Sequence, residues 1–212
     1  MKLYGFFRSS ASYRVRIALN MKGLEYSQMS VHLTKGQQNS EKFIAVNPQK
    51  LVPVIEIGDD FLFQSMAILD YLELTYPDKP ILPKDVLGQV RVRSIAQMVA
   101  CDIHPLNNVR VLNYLSNQLD VTNEQKLKWY HHWIRSGFEA LETRLKTEPQ
   151  TGQFCHGDEP GYADLVLVPQ VANATRFDVD LNMYPTLMKI NDRCLDLPAF
   201  RKAMPENQPD VE

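Results

Sequence analysis

Residues 7–16, Phe7-Arg8-Ser9-Ser10-Ala11-Ser12-Tyr13-Arg14-Val15-Arg16, join a short apolar run to a stretch with helical periodicity. The run from Leu3 to Phe7 predicts a strand, and the apolar positions between Val15 and Met21 predict a helix. A serine-rich turn at a helix start presents hydroxyls and backbone N–H groups at the positive end of the helix dipole. Such a turn suits an anion, including a thiolate. Ordinary N-capping by Ser10 or Ser12 is the commoner role of such serines, so other parts of the chain must decide.

The composition is typical of a globular protein and argues against several classes. The chain has 212 residues, 44% hydrophobic and 23% charged, and a formal net charge of -2. This length fits one large domain or two small ones, and this charge gives no indication of a nucleic-acid partner. No apolar run is long enough for a membrane span, and the first one ends too early for a signal peptide. The three cysteines are far apart and form no CxxC pair, which favours a soluble protein of a reducing compartment, the cytoplasm.

The first 80 residues alternate between strand and helix patterns, whereas the later residues show only the helical period. The expected strands are Lys2–Phe7, Tyr26–Leu33, Val54–Ile57 and Phe61–Phe63, and the expected helices are Ser12–Lys22, Ser40–Val46 and Met66–Tyr76. Further helices are expected over about 88–119, bent near Pro105, and over 124–146, 161–176, 186–195 and 198–204. We therefore predict a mixed α/β domain over residues 1–80 with a four-stranded sheet, a linker over 81–87, and an all-helical domain over 88–212. The polar tail from Pro205 is expected to be loosely held.

Two motifs of the first half suit a peptide ligand. Pro53 cannot donate to a sheet ladder, so it must lie at a strand end or edge. A cis Val52–Pro53 bond would leave the Val52 backbone free to pair with an extended peptide, although base rates favour trans. Ser65 is a good N-cap for the helix that follows, and Gln64 beside it adds an amide suited to an amino-acid carboxylate. Simple capping explains the second motif about as well.

In the second half, His104 and two amides, Asn107 and Asn108, fall inside the expected long helix. No second histidine lies at ligand spacing, and the adjacent His131 and His132 point to different helix faces, so no metal site is expected. Three arginines complete the candidate set, because arginine forms bidentate pairs with carboxylates. They are Arg8, Arg110 and Arg176. A surface salt bridge is the default role of any single arginine.

The motifs together resemble the zeta class of glutathione transferases. The string from Ser9 to Leu19 is similar to the signature of that class, and matches in the same order run from residue 3 to residue 210. The other matching strings are Asn47-Pro48, Val52-Pro53, Gln64-Ser65 with Ala67-Ile68, Val168-Pro169-Gln170-Val171-Ala172-Asn173-Ala174 with Arg176-Phe177, and Gln208-Pro209-Asp210. Each string alone is weak, but the ordered set is specific.

The resemblance implies a fold and a set of binding residues. The fold is a thioredoxin-like domain followed by a helical domain, as in glutathione transferases, usually in a homodimer. Ser9 or Ser10 would support the thiolate of glutathione. Val52 would pair with the cysteinyl backbone beside cis-Pro53, and Gln64 and Ser65 would hold the γ-glutamyl end. His104 and Asn108 would contribute from the helical domain, and Arg8, Arg110 and Arg176 would bind substrate carboxylates.

The activity that the resemblance implies is a glutathione-dependent cis–trans isomerisation of maleylacetoacetate to fumarylacetoacetate, in aromatic amino acid catabolism. Reversible addition of a thiolate to the alkene makes the double bond single, so that it can rotate, and expulsion of the thiolate restores it as trans. A hydroxyl and a helix dipole would lower the thiol pKa, and arginines would clamp the dicarboxylate. Maleylpyruvate isomerisation, or a general transferase or dehalogenase activity on small halo-acids, remains an alternative.

Two positions depart from the pattern of the class. Ala11 stands where the signature usually has cysteine, so any role for that thiol is absent. Gly161 stands at the expected cap before Asp164, where the class usually has serine or threonine. Glycine gives no side-chain acceptor, but the Asp164 carboxylate can still accept from the cap backbone. We therefore expect the fold to survive at some cost in stability.

Overall fold

The strand and helix that flank the serine turn form as the sequence predicts, with ends shifted by a few residues. In the computed structural model, which describes residues 1–211, β1 spans Lys2–Gly5 and α1 spans Ser10–Lys22. Ser9 is the N-cap of α1, and its Oγ accepts a hydrogen bond from the Ser12 N–H at 3.1 Å. Gly23 ends the helix at φ 71°, in the left-handed region that glycine adopts most easily.

A four-stranded mixed sheet carries this first part of the chain. The other elements are β2 (Ser27–Ser30), α2 (Glu41–Val46), β3 (Val54–Ile57), β4 (Asp60–Phe63) and α3 (Ser65–Thr75). The strand order is β2-β1-β3-β4, with β1 parallel to β2 and antiparallel to β3, and with β3 and β4 forming the expected hairpin. The predicted α/β class and the four strands are confirmed.

The rest of the described chain is helical. Its helices are α4 (Val86–Gln97), α5 (Val109–Gln118), α6 (Asn123–Thr147), α7 (Tyr162–Arg176), α8 (Pro185–Leu195) and α9 (Pro198–Ala203). The single helix expected over 88–119 is wrong, because a π-helical turn at Met98–Ile103 and a 3₁₀ turn at His104–Asn107 separate α4 from α5. Pro105 lacks a backbone donor and cannot continue a regular helix. Asn108 then caps α5 by accepting from the Arg110 N–H at 3.1 Å.

The chain divides into two compact units. The first unit comprises Met1–Ile81 and the segment from Leu195 onward, and the second comprises Leu82–Cys194. The expected helical domain over 88–212 therefore loses its last part, which includes α9, to the sheet unit. Three side chains of α1 join the two segments: Arg16 Nε donates to the Ala203 carbonyl at 2.9 Å, Asn20 Nδ2 to the Ala199 carbonyl at 3.0 Å, and the Tyr13 hydroxyl lies 3.5 Å from the Phe200 carbonyl. Periodicity shows that α9 is a helix but not which helix it packs against.

A network of three charged side chains holds the second unit together. Glu148, just after α6, accepts from Arg91 of α4 and from Arg144 of α6, both at 2.7 Å. Arg91 is buried and also donates to the Cys155 carbonyl at 2.6 Å and to the Thr151 hydroxyl at 2.8 Å. The network therefore fixes the loop between α6 and α7 on α4.

The start of α7 is closed as expected. Gly161 is the N-cap and offers no side-chain acceptor, but its N–H donates to the Asp164 carboxylate at 2.8 Å. The same buried carboxylate accepts from the Cys155 N–H at 2.9 Å. Among residues 1–211, no helix is long and apolar enough to cross a membrane.

Candidate active site

Ser9 lies in the turn between β1 and α1, and its hydroxyl can donate a hydrogen bond to a ligand. The Ser9 N–H donates to the Phe6 carbonyl at 2.9 Å, which closes the turn, and the Ser9 Oγ accepts from Ser12. Within residues 1–211 the Ser9 hydroxyl donates to no group, so its proton is available to a ligand. Ser10 is the first residue of α1 and is buried, and Ser12 is fully buried. The expected capping by Ser10 or Ser12 is wrong, since Ser9 is the cap.

The arginines of this stretch have different roles. Arg8 is exposed, and its guanidinium lies over the Phe7 ring at 4.8 Å from the centroid. Arg14 is buried and donates to the Ser65 Oγ at 3.2 Å, which links α1 to the start of α3. Arg16 is buried beside backbone carbonyls, and burial lowers its pKa to about 10. Arg8 is therefore the one of the three that could reach a substrate.

A second group of candidates lies at the end of β4 and before β3. The Val52–Pro53 bond is cis. The Val52 side chain packs on a small apolar cluster, and its backbone N–H and C=O form no hydrogen bond among the described residues. Gln64 has a φ of 66°, precedes α3 without a side-chain cap bond, and donates to Gln49 Oε1 at 3.0 Å. The expected N-cap role of Ser65 is wrong, because Ser65 is the first residue of α3 and its hydroxyl accepts from Arg14.

The remaining candidates lie in the second unit. His104 is half-buried at the start of the 3₁₀ turn. Asn108 uses its side-chain oxygen to cap α5, and Arg110 is exposed in the first turn of that helix. The structure thus brings Arg8, Ser9 and Ser10 together in one turn of the first unit, whereas Arg176 belongs to the second.

Arg176 is exposed at the end of α7 and is held by its neighbours. Its Nη2 donates to Asn173 Oδ1 at 3.2 Å, and its guanidinium lies over the Phe177 ring at 4.7 Å. The other side of this arrangement is fixed by Tyr130, whose ring stacks on Phe177 at a centroid distance of 3.9 Å. His131 Nε2 lies 2.7 Å from the Phe177 carbonyl. The guanidinium is therefore presented from a rigid support rather than from a free side chain.

Sequence reasoning gave no role to Tyr130 and considered His131 only as a possible metal ligand. They lie in the middle of α6, in a run of aromatic and histidine residues that looks like an ordinary helix face. Only the tertiary contact with the end of α7 shows what they support.

The chain's own thiols are poor candidates for the nucleophile. Cys155 and Cys194 are fully buried, and burial raises the pKa of both thiols. Cys101 is exposed in the π-helical turn and has no place in the serine turn. Residues 1–211 contain no group of three or more His, Cys, Asp or Glu side chains that could hold a metal ion.

Family models match both parts of this arrangement. The model of the glutathione S-transferase N-terminal domain matches residues 1–73, and that of the glutathione S-transferase C-terminal domain matches residues 134–202. A protein of Vibrio cholerae named as a probable maleylacetoacetate isomerase is 48% identical, over 99% of this chain and 97% of its own. A solved maleylpyruvate isomerase, described as a bacterial glutathione transferase of the zeta class, superposes with a TM-score of 0.98 at 46% identity over 100% of both chains. The chain belongs to the zeta class of the glutathione S-transferase family.

Another relative was solved with ligands bound. The maleylacetoacetate isomerase of Methylobacterium extorquens AM1, with malonate and glutathione bound, superposes on this transferase with a TM-score of 0.97 at 42% identity, covering 100% of both chains. The expected family and architecture are thus confirmed over the whole chain.

Proposed function

We propose that this chain is a glutathione-dependent cis–trans isomerase that converts maleylacetoacetate to fumarylacetoacetate. The observation that carries the proposal is the turn of Arg8, Ser9 and Ser10 at the start of α1, where a donor hydroxyl, a helix N-terminus and an exposed guanidinium meet. These groups favour a thiolate beside an anionic substrate. Full-length similarity to isomerases of maleyl keto-acids supports the same reading.

The residues of the first unit fit glutathione. Glutathione is an extended peptide with carboxylates, and the free backbone N–H and C=O of Val52 can pair with such a backbone. The start of α3, with Gln64 and Ser65, can hold the γ-glutamyl carboxylate, because that helix end carries no side-chain cap. In the second unit, His104 and Asn108 are the proposed further contacts. Bound glutathione supplies the thiolate that adds reversibly to the alkene.

The chain itself does three things in this proposal. Ser9, with Ser10 beside it, donates to the thiolate sulfur and so favours the ionised form. The N-terminus of α1 adds a positive potential in the same direction. Arg8 of the first unit, and Arg110 and Arg176 of the second, are the residues we propose for carboxylate binding, and a guanidinium also offsets negative charge that develops on a keto oxygen.

Maleylpyruvate is the alternative substrate, since it differs from maleylacetoacetate only beyond the keto group and a similar solved enzyme acts on it by name. A general transferase or dehalogenase activity on small halo-acids would use the same thiolate. The arginines favour a dianion over an apolar electrophile. In either case we propose a cytoplasmic enzyme, and for the maleylacetoacetate reaction a place in tyrosine and phenylalanine catabolism.

We also propose a homodimer. Val86, Leu87 and Val90 form an exposed apolar face at the start of α4, with exposed fractions of 74%, 81% and 60%. Neighbouring exposed apolar side chains are a feature of association surfaces, which supports this proposal.

The test of the proposed reaction compares both maleyl keto-acids with and without glutathione. We expect the wild-type protein to isomerise at least one of them only when glutathione is present, with no net loss of glutathione. The variant carrying Ser9→Ala and Ser10→Ala should lose about 10- to 150-fold in kcat, the equivalent of about 1.5–3 kcal/mol for a charge-assisted hydrogen bond. Turnover without glutathione, or its stoichiometric consumption, would contradict the proposal.

A further inference from the structure

The peptide unit of Phe7 is held on both sides by side chains. The Gly5 carbonyl, at the end of β1, accepts from the Val31 N–H at 2.8 Å, and Phe7 lies two residues beyond the end of this strand. The Phe7 N–H donates to the Asp210 Oδ2 at 3.1 Å, and the Phe7 carbonyl accepts from Arg16 Nη2 at 3.0 Å. A buried backbone N–H needs a partner, and here a residue 203 positions away along the chain provides it.

Asp210 is fixed by further bonds within the same unit. Its Oδ1 accepts from Gln28 Nε2 at 2.6 Å, and its Oδ2 also accepts from the Ser30 Oγ at 3.1 Å, so the carboxylate joins the end of β2 to the turn. Arg16 is also close to Asp210, and the negative charge of Asp210 acts to raise the pKa of the Arg16 guanidinium.

The tail that carries Asp210 is anchored as well. Gln208 is buried, and its Nε2 donates to the carbonyls of Lys202 and Met204 at 2.9 and 2.8 Å. The expected loose tail is therefore wrong for these residues, since side-chain bonds to backbone groups hold it in place.

From this geometry we infer that Asp210 is a positioning residue for the thiolate site. Phe7 lies two residues before Ser9, and the turn from Phe6 to Ser9 is closed by a single backbone bond of 2.9 Å. Fixing the Phe7 N–H therefore fixes the place of the Ser9 hydroxyl and of the first turn of α1. The inference rests on the proposed role of Ser9, and it assigns a function to the Gln208-Pro209-Asp210 string.

A positioning role and a merely structural role predict different effects when Asp210 is replaced. Val52, Gln64 and Ser65, which would hold the glutathione peptide, form no bond with Asp210. Loss of Asp210 should therefore displace the thiol donor but leave the peptide-binding residues in place. The expected signature is a raised thiol pKa and a lower kcat, with glutathione affinity close to that of the wild type.

The experiment uses the full chain with Asp210→Ala, Asp210→Asn and, as a matched control, Glu206→Ala. Glu206 is an exposed carboxylate of the same tail, and its side chain forms no hydrogen bond within residues 1–211. Hydrogen exchange of the Phe7 amide, measured without ligand, should lose protection in Asp210→Ala and stay unchanged in Glu206→Ala. The ultraviolet absorbance of the bound thiolate, titrated against pH, should give a thiol pKa about one unit higher in Asp210→Ala. With it, kcat at neutral pH should fall about tenfold, whereas the dissociation constant of glutathione should change less than about threefold.

The outcomes separate the inference from the proposed function. Asp210→Asn keeps an acceptor for the Phe7 N–H and should lie between the wild type and Asp210→Ala, which also keeps the test decisive if the alanine variant does not fold. Lost amide protection with unchanged thiol pKa and kcat in both variants would overturn the positioning role. Asp210 would then only stabilise the contact between the tail and the turn. A wild-type chain that ionises no glutathione thiol would instead refute the proposed function, and the positioning role with it.

Discussion

The role that can be assigned to Arg176 depends on the contacts that orient its side chain. As a single arginine it would be expected to form a surface salt bridge of small effect. In the structure its guanidinium is held by Asn173 and by the Phe177 ring, which in turn stacks on Tyr130. A side chain that is oriented before the substrate arrives loses less entropy on binding, which favours a carboxylate-binding role.

We predict that Arg176→Ala lowers kcat/KM for the maleyl dianion about 10- to 150-fold, because a charge-assisted hydrogen bond contributes about 1.5–3 kcal/mol. The loss should be much smaller for a neutral electrophile such as a chloronitrobenzene. Arg176→Lys keeps the charge but not the planar fork, so it should restore activity only in part. Steady-state kinetics on both substrates measure this.

Arg201→Ala is the matched control, because Arg201 is exposed and, within residues 1–211, its side chain donates only to the Asp196 carbonyl. It should leave both activities unchanged. Equal losses on the charged and the neutral substrate in Arg176→Ala would indicate damaged folding and remove the carboxylate assignment.

At the scale of elements, the second unit depends on a few polar joints between helices. Glu148 joins α4, α6 and the loop that follows α6. Hydrogen bonds from Arg144 and then from Arg91 lower the pKa of this carboxyl. Because the pKa in the folded chain lies below that in the unfolded chain, the ionised group stabilises the fold above the unfolded pKa of about 4.3 and loses this effect as the pH falls through the folded value.

We predict that Glu148→Gln lowers the free energy of unfolding by about 1.5–3 kcal/mol at pH 7, since it weakens two charge-assisted hydrogen bonds. The difference from the wild type should shrink as the pH falls below about 4. Urea denaturation at both pH values measures this.

Glu124→Gln provides the comparison, because Glu124 forms an exposed ion pair with Lys128 in the first turns of α6. Exposed pairs contribute little, so this variant should lie within about 0.5 kcal/mol of the wild type at every pH. A similar loss in both variants would mean that net charge, rather than the joint at Glu148, sets the stability.

The elements were predictable where local patterns decide them. The 3.6-residue period located α6, α7 and α8 to within one or two residues, and Gly23 marked the end of α1. The break between α4 and α5 was not predictable in detail, because a proline signals an irregularity but not the π and 3₁₀ turns that resolve it. The helix caps at Ser9 and Gln64 lie one residue or more from the expected caps. Several neighbouring polar residues could serve as the cap at each of these positions, so the sequence does not decide among them.

At the scale of the whole molecule, the order of the family motifs predicted the architecture and most of the candidate residues. What the sequence did not show is which distant segments support them. The bonds of Asp210 to Phe7 and of Arg16 to Ala203 span most of the chain and leave no periodic trace. The sequence therefore identified groups that could do chemistry, but not those that hold them in place.

We predict that Leu87→Asp converts a dimer to a monomer, because it puts a charge into the apolar face of α4 that we propose as the interface. Sedimentation velocity should show the mass fall to that of one chain, 24.4 kDa. Met183→Asp is the control, since Met183 is 71% exposed but lies outside α4. A wild-type protein that sediments as a monomer, or a control that dissociates equally, would contradict this interface.

The return of the last segment to the sheet unit has a consequence for biosynthesis. A ribosome makes β1 and the serine turn before the second unit, but the residues that complete their unit, α9 and Asp210, are made after it. The second unit lies between them, on the order of 100 residues long, and its translation takes on the order of ten seconds. The sheet unit therefore stays incomplete while the helices of the second unit are synthesised. The sheet unit can therefore be completed only after the second unit has been synthesised.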